Sequence, residues 1–367
     1  MRGGPDVKAA VLNAPKTPLA IEELTIDEPI AGEALVRVVA AGVCHSDLHF
    51  IEGTYPGRLP MVLGHEVAGV VEKIGPGVTH VQAGDRVIMG FVQPCGHCKY
   101  CDGGHPNLCQ TKTTARAADR PILKRGDQAV SGMAGTAGFA QYSVTPATGL
   151  MKVPDGIGLD VAALVGCSVM TGYGAVVNTA KVEPGSTVAV IGAGGVGLNI
   201  IQSARLAGAS RIIAVDMVEA KLAVAKQFGA TDVVNAGDTD PVKKVQELTG
   251  GGADYTFEAI GLKVTAEQAY AMAGRGGTAV IVGMVPPTDQ ISISGLIWVQ
   301  EKTLKGSYYG SARFNVDMPR IFSLYQQGKL NIEGLVTKRF PLEGINEAFD
   351  LLRSGAVSRS ILEIGSE

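Results

Sequence analysis

At 367 residues the chain is longer than one ordinary hydrophobic core supports, so two domains are expected. With 46% hydrophobic and 18% charged residues it has the composition of a well-buried globular protein, which excludes a largely disordered chain. A net charge of -3 supplies no attraction for nucleic acid or for an anionic membrane, so neither is expected as a partner.

No apolar run reads as long enough to span a bilayer, and the start, Met1-Arg-Gly-Gly-Pro-Asp6, lacks the apolar stretch of a signal peptide. A cytoplasmic location is therefore expected. In a reducing compartment the six cysteines read as metal ligands before disulfides.

From Val7 to about Ser143 the chain is a series of short apolar runs separated by Gly, Pro and Asp, such as Ala34-Leu-Val-Arg-Val-Val-Ala40 and Glu66-Val-Ala-Gly-Val-Val-Glu72. That pattern predicts a β-rich domain. The turn Gly84-Asp-Arg86 leads into a strand Val87-Ile-Met89, after which Cys95-x-x-Cys98-x-x-Cys101-x7-Cys109 interrupts it. Four thiolates in one short lobe suit a closed tetrahedral zinc site without a free coordination position, hence a structural one. Two disulfides or an iron-sulfur cluster use the same residues. His97 and His105 read as solvated loop positions. Gln110 to Gly138 has no usable periodicity and predicts a long loop.

After Cys167 strands alternate with helices: strands near Val188, Ile212, Asp232 to Asn235, Asp254 to Glu258, Thr278 to Val282 and Thr303 to Ser307. Alternation of this kind predicts a parallel, doubly wound sheet. Its centre is Thr187-Val-Ala-Val-Ile-Gly-Ala-Gly-Gly-Val-Gly197, a β-branched run entering Gly192-x-Gly194-x-x-Gly197. Gly192 makes a tight turn, Gly194 admits a pyrophosphate to the backbone, and Gly197 lets the helix pack on the sheet. The helix pattern ends at Gly208, and the next strand, Arg211 to Asp216, finishes on an acid placed to accept both ribose hydroxyls of NAD. Asp216 would repel the 2'-phosphate of NADP. A helix Glu219 to Phe228 stops at Gly229, and the tail predicts helices Met318 to Gln327 and Ile345 to Arg353 and a strand Ser360 to Ile364.

Cys44, Cys167 and Gly64-His65-Glu66 remain. Far apart in sequence, they read either as an open metal site or as two buried thiols and a core histidine.

With Gly42-Val-Cys-His-Ser-Asp47, Gly64-His-Glu66, the four-cysteine lobe, Gly166-Cys167, the glycine turn and Ser358-Arg-Ser-Ile-Leu362, the chain resembles the zinc-dependent medium-chain alcohol dehydrogenases. The resemblance implies an α/β plus β architecture: a groES-like catalytic domain (1–168 and 309–367) with a doubly wound Rossmann domain (169–308) inserted in it, and an active cleft where they meet. It further implies that Cys44, His65 and Cys167 hold a catalytic zinc with an open position, giving two zinc ions per subunit, with Asp47 orienting His65 and Glu66 behind the metal. Ser46 would take the alcohol proton and His49 would release it to solvent. Thr171 and Val196 would press the nicotinamide into place, His45 and Arg359 would hold the pyrophosphate, and Phe91 would wall the substrate pocket.

The implied activity is reversible oxidation of primary aliphatic or aromatic alcohols to aldehydes with NAD, in a homodimer or homotetramer. Two alternatives lie within the same family. A thiol-dependent formaldehyde dehydrogenase would favour acidic residues where this chain has Thr54, Tyr55 and Pro56, although Arg116, Arg120, Lys124 and Arg125 offer charge for an anionic substrate. A dehydrogenase with tightly bound NAD would need an external carrier. From another class, a zinc-ribbon binding module would carry a basic lobe, whereas Phe91 to Gln110 has only Lys99 as a full cation.

Overall fold

The computed structural model describes residues 5–111, 121–355 and 357–366. The chain forms two compact units: Met1–Cys167 with Arg313–Phe322 and Ile332–Glu367, and Ser168–Ala312 with Ser323–Asn331.

In the first unit the strand Glu33–Val43 pairs with Glu66–Ile74, Tyr142–Pro146 and, through residues 40–43, with Arg359–Glu363 from the chain's end. Only a continuous apolar strand can be covered on both sides, and Glu33–Val43 is buried at all but one position. A closed barrel stands beside this sheet, built from Asp6–Leu12, Ala20–Ile26, Met61–Val62, Leu123–Arg125 and Gln128–Gly132. The last two strands correct the expected long loop over Gln110 to Gly138. They are too short for their alternation to stand out, and they turn through Gly126 at φ 56°. Arg116 and Arg120 lie outside the described residues. Phe139, Phe349 and Leu362 anchor the core between barrel and sheet.

The second unit holds six parallel strands in the spatial order Asp232–Asn235, Arg211–Asp216, Thr187–Ile191, Ala253–Glu258, Ala273–Ile281 and Thr303–Gly306. This is the doubly wound order, with its reversal between Thr187–Ile191 and Ala253–Glu258. Strand order cannot be read from a sequence. Here it puts the glycine turn at the reversal, where sheets of this kind open a crevice. Ile213, Val215 and Val245 lead the apolar layer on one face.

The helical stretch Leu159–Ala180 corrects another expectation. It is long and apolar enough to cross a membrane, with mean hydropathy 1.5, but 89% of that window is buried inside the protein, as in a core helix. Interspersed glycine, serine and threonine break the run in the sequence. The helix over the tail begins four residues earlier than expected, at Phe314–Gln326, and carries Pro319 in its first turns.

Candidate active site

The four-cysteine lobe has a definite sulfur geometry. Cys95 and Cys101 sulfurs lie 4.0 Å apart, Cys98 and Cys101 3.6 Å, and Cys98 and Cys109 3.9 Å. A disulfide requires about 2.05 Å, so no pair is bonded. Four sulfurs at about 2.3 Å from one ion in a tetrahedron are separated by about 3.8 Å, which these distances match. Burial, against one helping amide from Gly96, and the three neighbouring thiols push Cys101 up to about 12. Backbone N–H groups of His97 and Cys101 pull the other way at Cys95, brought down to about 6, and at Cys98, and a cation among the four sulfurs would favour the thiolates. His97 and His105 are exposed, and the His97 ring meets the Cys95 carbonyl at 2.8 Å.

The second cluster is built by elements of the first unit alone. Cys44 ends the strand Glu33–Val43 and caps the helix His45–Ile51, His65 and Glu66 enter the strand Glu66–Ile74, and Cys167 sits in a wide π turn over Val165–Val169. One ligand atom from each of Cys44, His65, Glu66 and Cys167 lies within 4.8 Å of the others, and all four residues are buried. The glycine before His65 has a mechanical reason: Gly64 stands at φ 92°, and a Cβ there would come within 2.7 Å of Phe139. A Cβ at Gly42 would overlap the Glu66 carboxylate.

Asp47, wholly buried, is the hub. Its Oδ1 lies 3.2 Å from His65 Nδ1 and accepts the Gly64 N–H at 2.9 Å, while Oδ2 accepts the Cys44 N–H at 3.3 Å. Burial alone would lower the His65 pKa, but the Asp47 carboxylate and Cys44 outweigh it and hold the ring well above its usual value. Contact with Cys167 lowers Cys44 well below an ordinary thiol against its own burial, and raises Cys167. Burial brings Glu66 up to about 7, with Arg359 opposing.

Arg359, expected from the resemblance at a pyrophosphate, lies 2% exposed with Nη2 3.5 Å from Glu66 Oε1 and 3.8 Å from Cys44 Sγ. Both Glu66 oxygens and Arg359 Nε lack hydrogen-bond partners among the described residues. Buried polar atoms without partners beside two thiols and an imidazole are what a site fitted for a metal and its water leaves behind.

Around the cluster, Ser46 Oγ is 3.7 Å from Cys44 Sγ and Phe91 meets the His65 ring edge-on at 5.6 Å. His49 is half-buried against Tyr55 at 5.6 Å, and burial lowers its pKa against the pull of Glu52 and Cys44. His45 is exposed.

In the second unit the three fingerprint glycines separate into two kinds. Gly192 stands at φ 97°, with Ile260 Cγ1 2.7 Å from where a Cβ would be, and a Cβ on Gly197 would overlap the Gly192 carbonyl. A Cβ on Gly194 meets nothing within 4 Å. Packing therefore accounts for Gly192 and Gly197, and the open space at Gly194 fits a phosphate drawn close to the backbone. The helix Gly195–Leu206, with Val196 in its first turn, has no side-chain cap, which leaves its N-terminus to an anion.

Asp216 has a task the sequence did not signal. Its Oδ2 accepts the Ala193 N–H at 2.8 Å and its Oδ1 the Val218 N–H at 3.0 Å, so it braces the glycine turn. Each oxygen keeps capacity for a hydroxyl. Glu258, ending the strand on the other side of Thr187–Ile191, braces the turn that follows it. Buried, it accepts the Ile260 and Gly261 N–H groups at 2.9 and 2.7 Å. An acid ending a strand was the only available signal.

Residues 30–155 match the alcohol dehydrogenase GroES-like domain, and residues 195–325 match the zinc-binding dehydrogenase domain. The chain is similar over 99% of its length to an alcohol dehydrogenase zinc-binding domain protein from Burkholderia ambifaria, covering 100% of that chain at 36% identity and TM-score 0.93. Benzyl alcohol dehydrogenase from Acinetobacter calcoaceticus is matched at 34% identity and TM-score 0.92, over 98% of this chain and 100% of that one. A protein described as a zinc-binding dehydrogenase from Sinorhizobium meliloti 1021, solved with NADP, is matched at 27% identity and TM-score 0.80, over 98% and 99%.

Proposed function

The chain belongs to the zinc-dependent medium-chain alcohol dehydrogenase family, and on that premise we propose that it oxidises primary alcohols, aromatic ones foremost, to aldehydes with NAD, reversibly. The observation that carries the reading is the convergence of Cys44, His65 and Cys167 within 4.8 Å. With Asp47 engaging His65 Nδ1, the other ring nitrogen is left for a metal. A zinc ion held there supplies Lewis acidity that lowers the pKa of a bound alcohol.

The chain's own groups do the rest. Ser46 takes the alcohol proton, and His49, three residues further along the same short helix, carries it to solvent. Arg359 offsets the Glu66 charge beside the thiolates. Cys95, Cys98, Cys101 and Cys109 hold a second, structural zinc. Thr171 and Val196 seat the nicotinamide, and Gly194 admits the pyrophosphate.

Asp216 favours NAD, since a second negative charge at the ribose would face a carboxylate with no compensating cation at Met217 or Val218. Phe91 against the His65 ring and the benzyl alcohol dehydrogenase neighbour support an aromatic substrate. In place of acidic residues, Tyr55 lies against His49 and Phe50, which disfavours a charged thiol adduct. Six unpaired cysteines suit a reducing cytoplasm.

The test is zinc content together with NADH and NADPH formation over a panel of primary alcohols, benzyl alcohol and S-hydroxymethyl thiols included. Two zinc ions per chain, turnover of benzyl alcohol and preference for NAD are expected. Turnover confined to the thiol adducts, or equal efficiency with NADP, would overturn it.

A further inference from the structure

The second unit contains a run of backbone that side chains ordinarily avoid and in which two of three residues are not glycine. Tyr309, Gly310 and Ser311 stand in succession at φ 56°, 63° and 50°. Only Gly310 does so without steric opposition, and a non-glycine residue holds that region only when its surroundings impose it. The run follows the strand Thr303–Gly306, at the carboxyl edge of the parallel sheet, where such sheets bind their ligands.

Polar side chains brace it, and the Asn178 amide donates to the Gly310 and Ser311 carbonyls at 3.4 and 3.5 Å. Thr179 Oγ1 lies 2.9 Å from Ser307 Oγ and 2.8 Å from Ser311 Oγ, so one side chain ties the last residue of the run to the segment two residues ahead of it. Thr179 itself is set in a second π turn, Ala175–Ala180, a widening of the helix that redirects side chains and recurs at functional sites.

The run is also a seat. A Cβ on Gly310 would lie 2.6 Å from the Met170 carbonyl and 2.8 Å from the Thr171 carbonyl, and a Cβ on Gly174 would overlap the Gly310 carbonyl. On its other side the helix Met170–Gly174 rests on the cradle helix, where a Cβ on Gly172 would overlap Asn199. The segment bearing Thr171 is therefore wedged between the strained run and the helix of the glycine turn. Displacing the run displaces Thr171 relative to the cradle.

We propose that Thr179 is a positioning residue: by pinning Ser307 and Ser311 it holds the strained Tyr309–Ser311 run that seats Thr171 and so sets the affinity for the nicotinamide half of the cofactor. The inference rests on the cofactor reading above. Thr179→Val keeps the shape and removes both hydroxyl contacts, and Thr179→Ser keeps the hydroxyl.

The experiment titrates parent and both variants with NADH and with ADP-ribose, which has the same adenosine and pyrophosphate but no nicotinamide. Thr179→Val is expected to weaken NADH about ten-fold, the effect of losing one or two net hydrogen bonds, while ADP-ribose stays within two-fold and Thr179→Ser restores NADH. Equal weakening of both ligands would mean general loosening and overturn the proposal, as would unchanged NADH affinity or failure of the serine variant to rescue. A parent protein that binds ADP-ribose but not NADH, or neither, would sink the functional reading and the proposal with it.

Discussion

At the scale of single residues, the two candidate metal sites differ in what surrounds the sulfur. Cys167 is buried with Cys44, His65, Glu66 and Arg359, groups of both charges. Cys98 has three further cysteines and a solvated lobe. Cys167→Ala removes a ligand from the mixed site without touching the glycine turn in the other unit. NADH binding, read by fluorescence titration, should stay near parental while benzyl alcohol oxidation falls by several orders of magnitude, because an unaided hydroxyl scarcely ionises at neutral pH. A variant with parental turnover would refute a zinc-assisted mechanism. His49 is a gentler case. It accepts a proton only when neutral, and burial lowers its pKa from the ordinary 6.5. The rate should therefore fall as pH drops through a value below 6.5 and be flat above it. His49→Gln should slow turnover and remove that limb, with zinc content and NADH affinity unchanged.

At the scale of elements, the four-cysteine lobe contains little regular structure: one helical turn, Lys99–Asp102, and a shorter one, Pro106–Leu108. Neither has the length to hold itself. The sulfurs, 3.6 to 4.0 Å apart, would do that work with the proposed ion between them. Thiolate zinc sites contribute about 10 kcal/mol or more in small peptides, and a smaller share where the rest of the domain folds anyway. Cys98→Ser should lower Tm by about 5 °C or more by calorimetry, with one zinc lost per chain and residual activity proportional to folded protein. Full stability with no activity would exchange the roles of the two sites.

At the scale of the molecule, the parallel sheet of the second unit ends on Thr303–Gly306, which among the described residues pairs only with Ala273–Ile281. Beside it, Leu296 and Val299 are about half exposed, and Trp298, the single tryptophan, is 77% exposed. A bare edge next to apolar side chains is costly for an isolated chain and is covered by association in many proteins. We propose that this edge is where two copies meet, giving a homodimer, or one of the two kinds of contact that a homotetramer needs. Trp298→Glu should shift the mass found by light scattering toward the monomer while leaving two zinc ions per chain. An unchanged mass would place the contact elsewhere.

Local chemistry was legible from the sequence because it depends on spacing. Two cysteine gaps of two residues and one of seven place four sulfurs around a point. A β-branched run ending in Gly192-x-Gly194-x-x-Gly197 makes a strand, a turn and a helix wherever it occurs, and the helix stop at Gly229 was equally local. The barrel strands Leu123–Arg125 and Gln128–Gly132 were hidden because three or five residues carry too little alternation to declare themselves. From spacing alone, Cys44, His65 and Cys167 stayed an open choice between a metal site and buried thiols, and family resemblance had to decide it. The structure brings Cys44 and His65 together because Glu33–Val43 pairs with Glu66–Ile74, and Cys167 joins them because the helix Leu159–Leu164 before it packs on both strands, contacts no local pattern encodes. The dual service of Asp216, the burial of Arg359 against Glu66, and the seat that Tyr309–Ser311 makes for Thr171 were likewise decided by tertiary structure alone. Each joins residues tens to hundreds of positions apart, and their energies depend on distance and burial, which only the folded chain sets.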